Sequence, residues 1–230
     1  MRKILKIDIK DKHVIKSKMY DGVRKIGDPY TISKIASDTF VDEIFFSSIT
    51  RSLYGYDNFR EIIEKICKNI FLPITISGGL STMEDCYESF MLGADKICLN
   101  SILFENFNLL KESSKTFGSQ SISVLVQAKK INNEWYAFKN MARENSHHKV
   151  SDWIQMCSEN GAGEIIIMCV DRDGLSAGLQ YELLDFTKNV KNPILLGGGF
   201  DSRDFFNIDN LNNLEGVVFS SYFYNNYLKI

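Results

Sequence analysis

The sequence repeats itself. ADKICLNS in the first half has a counterpart in EGVVFSS, ITISGGLSTMED in ILLGGGFDSRDF, and VDEIFFSSITRS in AGEIIIMCVDRDG. The spacing between copies is nearly constant: Glu43 and Glu164 are 121 positions apart, Gly79 and Gly199 120, Ser101 and Ser221 120. Three pairs at one offset constrain the fold more than any composition does. The chain has to be assembled from two versions of one unit.

Within each unit, short apolar runs alternate with helix-length amphipathic stretches. Strands are expected at 4–9, 43–47, 73–77, 96–99, 121–127, 164–170, 193–196 and 216–219. Helical patterns fall at 58–70, 83–92, 150–160 and 181–190; in the first, Phe59, Ile62, Ile63, Ile66 and Ile70 recur at helical spacing. Strand–helix alternation of this kind predicts a parallel sheet. Pro73 and Pro193 each open a strand, where no ladder donor is lost. A unit of four parallel strands leaves two bare sheet edges, which the other unit can close. The expected fold is therefore a single α/β domain, a (β/α)8 TIM barrel with internal half-barrel duplication, its halves at about 1–118 and 119–230. A length of 230 residues suits one such barrel.

Composition excludes several function classes. A hydrophobic fraction of 44% supplies a core, and a net charge of −2 leaves no electrostatic footprint for nucleic acid. Cys67, Cys86, Cys98, Cys157 and Cys169 lie far apart with no CxxC pair, which argues against a zinc site or a disulfide framework and suits a reducing cytosol. No run approaches the roughly 18 apolar residues of a membrane span, and acidic Asp8 and Asp11 follow Arg2 and Lys3 where a signal core would lie. A cytoplasmic protein with no membrane partner, no metal and no cofactor is expected.

Gly78–Gly79 follows the third expected strand and Asn100–Ser101 the fourth; Gly197–Gly198–Gly199 follows the seventh and Ser220–Ser221 the eighth. Glycine lets backbone N–H groups approach an anion, and a helix N-terminus adds favourable partial charge. One glycine pair alone more often makes a tight turn. Two, each with a serine on the next strand end, predict two phosphate clamps on opposite sides of the mouth. The turn Asp171-Arg172-Asp173-Gly174 lies on the same face, where Gly174 joins the second clamp.

The stretches KIDIKDKHVIK, GDP at 27–29, SGGLSTMED, GADKICLNS, GAGEIIIMCVDRDG and the glycines 197–199 resemble the cyclase subunit family of imidazole glycerol phosphate synthase, in order over nearly the whole chain. The resemblance implies a lyase/cyclase barrel. Its substrate is a small ribulosyl compound with a phosphate at each end. Its ammonia comes from a glutaminase (class I amidotransferase) subunit docked at the N-terminal face. It carries over Gly79, Asn100 and Ser101 as one clamp, and Gly174, Gly198, Gly199 and Ser221 as the other. Lys16 becomes the lysine of a mobile substrate loop, and Arg2, Glu43, Lys96 and Glu164 the ammonia gate, with Asp95 facing the glutaminase. Asp8 becomes the first of two catalytic aspartates.

The chain departs from the family at the second aspartate, whose place is held by Gln127, and at the end of the second strand, where Ser48 replaces an aspartate. Glutamine cannot exchange a proton near neutral pH. The last helix is also shortened. These departures favour a divergent paralogue that receives glutamine-derived ammonia and serves a sugar-amidating enzyme in surface-polysaccharide biosynthesis. The alternative is a genuine cyclase of histidine biosynthesis, and a third reading is a scaffold that activates a glutaminase without chemistry of its own.

The remaining motifs read as structural. His147–His148 is expected in a solvated loop ahead of a helix capped by Ser151, and His13 in a charged loop. Tyr222, Phe223, Tyr224 and Tyr227 are expected to cover the barrel wall.

Overall fold

The computed structural model describes residues 1–50, 58–208, 211 and 214–228. Its strands are β1 (Arg2–Lys10), β2 (His13–Lys18), β3 (Asp21–Gly27), β4 (Glu43–Ser48), β5 (Ile74–Ser77), β6 (Lys96–Leu99), β7 (Ile122–Ile131), β8 (Glu134–Lys139), β9 (Glu144–Lys149), β10 (Glu164–Cys169), β11 (Ile194–Gly197) and β12 (Gly216–Phe219). Eight of them, β1, β4, β5, β6, β7, β10, β11 and β12, pair in parallel in chain order. The pairing of β12 with β1, Val218 opposite Ile4, closes the ring. This is the expected (β/α)8 barrel.

Period-two alternation sorts the strand residues between two cores. Leu5, Ile7 and Ile9 of β1 point outward into the sleeve between barrel and helices. Ile4 points inward, meeting Phe45, Cys98, Leu125, Ile166, Met168, Leu195 and Val218 in a separate, fully buried layer that fills the barrel. The helices are α1 (Pro29–Ser37), α2 (Phe59–Cys67), α3 (Met83–Met91), α4 (Asn108–Phe117), α5 (Val150–Glu159), α6 (Asp204–Asn207) and α7 (Ser221–Tyr227). The GDP segment is a helix start: Pro29 occupies the first turn of α1, and the Asp28 carboxylate accepts from Thr31 N at 2.8 Å. Thr82 and Asp85 form a capping box on α3.

Each half carries a hairpin that the apolar pattern does not announce. β2 and β3 fold back on the end of β1, and β8 and β9 on the end of β7, all antiparallel. Two-residue turns join them at Met19–Tyr20 (φ 52° and 61°) and Asn132–Asn133 (φ 48° and 66°). Paired positive φ values are what a type I′ hairpin turn requires. These hairpins correct three expectations. His13 lies in β2 and not in a loop. His147 and His148 lie in β9, the His148 ring 5.0 Å from Trp153. Helix α5 begins at Val150 without a side-chain cap, because the Ser151 hydroxyl bonds Asp152 instead.

Segment 181–190 also differs, forming a 3-10 helix over Tyr181–Thr187. The Tyr181 hydroxyl is anchored on Asp204 Oδ1 at 2.7 Å. The 3-10 rise of about 2 Å per residue lets so short a segment cross the barrel wall. Helix α7 is short, as expected, and residues 229 and 230 lie outside the described chain. Its aromatics do cover the wall: Tyr222 and Tyr227 pack on Phe40, which stacks on Phe219 with ring centroids 5.6 Å apart.

Candidate functional site

The inward residues of β1, in order Arg2, Ile4, Lys6 and Asp8, trace the barrel axis from its N-terminal to its C-terminal end. At the N-terminal end Arg2 bonds Glu43 Oε2 at 3.1 Å and also pairs with Glu164. Lys96 reaches Glu164 at 3.2 Å and Glu43 at 3.7 Å. Two cations and two carboxylates thus alternate in a ring. Thr75 and Ser123 hydroxyls donate to the outer oxygens of Glu43 and Glu164. Although burial opposes it, Glu164 and then Glu43 hold the Arg2 guanidinium above its ordinary pKa. Phe71, in the segment leading into β5, and Met91, the last residue of α3, are 94% and 85% exposed. The Asp95 carboxylate accepts from Ile74 N at 2.8 Å.

Above the ring lies the apolar layer. Burial pushes the Cys98 thiol within it well up, so the layer holds no thiolate. Above that layer the barrel becomes polar. Lys6, Ser47, Ser48, Ser77 and Gln127 line a cavity of about 520 Å³, together with Gly78, Gly79, Asn100 and Ser101 after β5 and β6 and Tyr20, Asn140, Met141 and Arg143 of the two hairpins. Gly78 and Gly79 take φ of 90° and 68°, and Gly198 and Gly199 of 87° and 94°. The two turns are conformational copies that only glycine adopts without strain.

The serines beside the two glycine turns differ in their hydrogen bonding. Ser101 is engaged, donating to Asn100 Oδ1 and accepting from Asn140 N, both at 2.9 Å. The Ser221 hydroxyl is buried and finds no hydrogen-bond partner among the described residues. A buried hydroxyl of this kind is free to bond a polar group that enters the site. Gly174, Gly198, Gly199, Ser220, Ser221 and Asp173 surround a space of only 10 Å³ there. The first hairpin lies against it: Met19 N donates to Asp173 O at 2.8 Å. Lys16 belongs to β2 of this hairpin, its ammonium 3.5 Å from Asn225 Oδ1. Burial, then Arg24 and Lys18, lower its pKa.

Asp8 and Gln127 lie on β1 and β7 at opposite walls of the barrel. The ammonium of Lys6 donates to Asp8 Oδ1. Gln127 Oε1 accepts from Ala142 N at 3.0 Å, holding the tip of the second hairpin. Burial pushes the Asp173 carboxyl up to about 6, Asp8 adding to the rise and Lys6 and Lys16 opposing it. Burial, Asp173 and Asp8 likewise push the Tyr20 hydroxyl well up. The structure therefore brings Asp8, Gln127 and both glycine turns to one mouth, and Arg2, Glu43, Lys96 and Glu164 to the other end. Lys6, Tyr20 and Asp173 were missed by sequence reasoning. The signal for Lys6 was its parity with Arg2, Ile4 and Asp8 on one strand. No group of three or more histidine, cysteine or acidic residues that could hold a metal occurs among the described residues. No described helix is long and apolar enough to cross a membrane.

A closed parallel barrel with an ion ring at one end and paired glycine turns at the other defines a (β/α)8 protein with a polar site at its C-terminal mouth. The model of the histidine biosynthesis protein family matches residues 4–229, and the chain belongs to that family, in its HisF-like branch. It is 32% identical to imidazole glycerol phosphate synthase subunit HisF of Staphylococcus carnosus, over 95% of this chain and 87% of the relative. It is 34% identical to the subunit of the same name from Campylobacter concisus, over 87% and 80%. The Thermotoga subunit is 32% identical over 87% and 79%.

Proposed function

We propose that this chain is the ammonia-using cyclase barrel of a two-subunit synthase and acts on a ribulosyl substrate phosphorylated at both ends. The observation that carries the reading is the placement of the ion ring and the two clamps at opposite ends of one barrel axis. The N-terminal face docks the glutaminase subunit, which exposed Phe71 and Met91 suit, and Asp95 lies beside Lys96 on that face. When the ring parts, the apolar layer favours neutral ammonia over ammonium, because an ion loses far more hydration there. At the mouth the clamps hold the two phosphates and Asp8 exchanges protons with the reacting centre. The second clamp fills once the hairpin bearing Lys16 lifts away. The two hairpins at equivalent strand ends also support residues 1–118 and 119–230 as descendants of one half-barrel.

The names of the relatives favour the cyclase of histidine biosynthesis over a paralogue serving a sugar-amidating enzyme. Gln127 is the observation that favours the second reading. Expression in a histidine auxotroph lacking its cyclase separates them. Growth without histidine supports the cyclase. No growth, with folded protein present, supports the paralogue.

A further inference from the structure

Lys6 is buried inside the barrel, with 4% of its surface exposed, two residues below Asp8 on the same face of β1. Its ammonium donates to Asp8 Oδ1 and lies 5.6 Å from the centre of the Tyr20 ring. The Tyr224 hydroxyl donates to its carbonyl at 3.1 Å. A lysine is almost never buried without a partner, because its charge loses hydration. Lys6 also borders the space a ligand would enter: it lines the same 520 Å³ cavity as Gly79, Asn100, Ser101 and Gln127, and its hydrogen bond ties Asp8 to that wall. Across that cavity Gln127 can hydrogen-bond but cannot give or take a proton. The titratable groups facing the pair are Tyr20, Asp173 and Tyr224, with Lys16 behind them facing Asp173.

We propose that Lys6 is the proton donor of this barrel and Asp8 its acceptor, so that the proton-exchanging pair stands on one strand instead of two opposite walls. The proposal rests on the cyclase reading above. Ammonia attacks the ketone carbon of the ribulosyl group and a C–N bond forms. Asp8 takes a proton from that nitrogen while Lys6 protonates the former carbonyl oxygen. Asp8 returns its proton to Lys6 through their hydrogen bond. A second round removes another proton from nitrogen, protonates the hydroxyl, breaks the C–O bond and releases water. The net change is ketone plus ammonia to imine plus water, with both side chains restored.

The test is steady-state turnover of the doubly phosphorylated ribulosyl substrate by the purified chain, with ammonium chloride as nitrogen source. Lys6→Arg keeps a cation beside Asp8, but a guanidinium stays protonated. It is expected to lose about 10²–10⁴-fold in kcat with little change in KM. Lys6→Cys is expected to be equally slow and to recover on alkylation with 2-bromoethylamine, which rebuilds a lysine-length amine. Wild type treated in the same way controls for the native cysteines. Loss in both variants with recovery on alkylation supports the proposal. A Lys6→Arg variant within about threefold of wild type, or no recovery of folded Lys6→Cys, overturns the donor role and leaves the cyclase reading standing. A wild type that does not turn over overturns both.

Discussion

Glu43 and Glu164, 121 positions apart, share the same two cations: each reaches Arg2 and Lys96. The four side chains thereby form a ring whose members neutralise one another. Both carboxylates are buried, so they depend on those cations.

Glu164→Gln leaves Arg2 and Lys96 sharing one carboxylate. Removing one partner of a buried pair typically costs 3–5 kcal/mol. Arg2 keeps about a third of its side chain in solvent, which reduces the expected loss to about 2 kcal/mol. Urea denaturation at neutral pH measures it.

Gly198→Ala tests the clamp geometry. A Cβ at Gly198 would lie 2.3 Å from Cys169 O at a φ of 87°. The expected loss is more than about 2 kcal/mol, with weaker binding of inorganic phosphate by calorimetry. Gly22→Ala is the control. Its φ is 56° but no atom lies within 4 Å, so only about 1 kcal/mol should be lost, with phosphate binding unchanged.

The barrel was legible because its strands are buried on both faces and read as uninterrupted apolar runs such as Ile165–Ile166–Ile167. The two tight turns after β5 and β11 were legible because glycine at positive φ leaves a mark in the sequence. The hairpins were not, since β3 and β9 are largely exposed and carry charged or polar residues such as Arg24, Lys25 and His148. Only the turns betrayed them, above all Asn132–Asn133. Lys6 escaped because a lysine reads as solvated until the strand parity turns it inward. Arg2, Glu43, Lys96 and Glu164 read one by one as ordinary strand-start charges, and only the resemblance joins them.

Asp173 makes stability depend on pH. Its folded pKa is about 6, against about 3.9 unfolded. Between about pH 4 and pH 6 the folded state therefore holds more protons, and stability falls as pH rises through that window. Asp173→Asn, lacking the ionisation, should be more stable than wild type by about 2–3 kcal/mol at pH 7 and equal to it near pH 4. Urea midpoints at the two pH values check this.

Gln127→Leu removes the acceptor for Ala142 N. A buried N–H left unpaired costs about 1–3 kcal/mol. The loss should be local: amide exchange should quicken at Ala142 and the tip joining β8 to β9, and stay slow in β10 and β11.

The most direct test of the account as a whole is nitrogen transfer. The chain is incubated with 15N-ammonium and the doubly phosphorylated ribulosyl substrate, and the products are examined by mass spectrometry. The account predicts a labelled imidazole product carrying one phosphate and an unlabelled aminoimidazole ribotide. Substrate that binds with both phosphates yet returns unlabelled and uncleaved would contradict it.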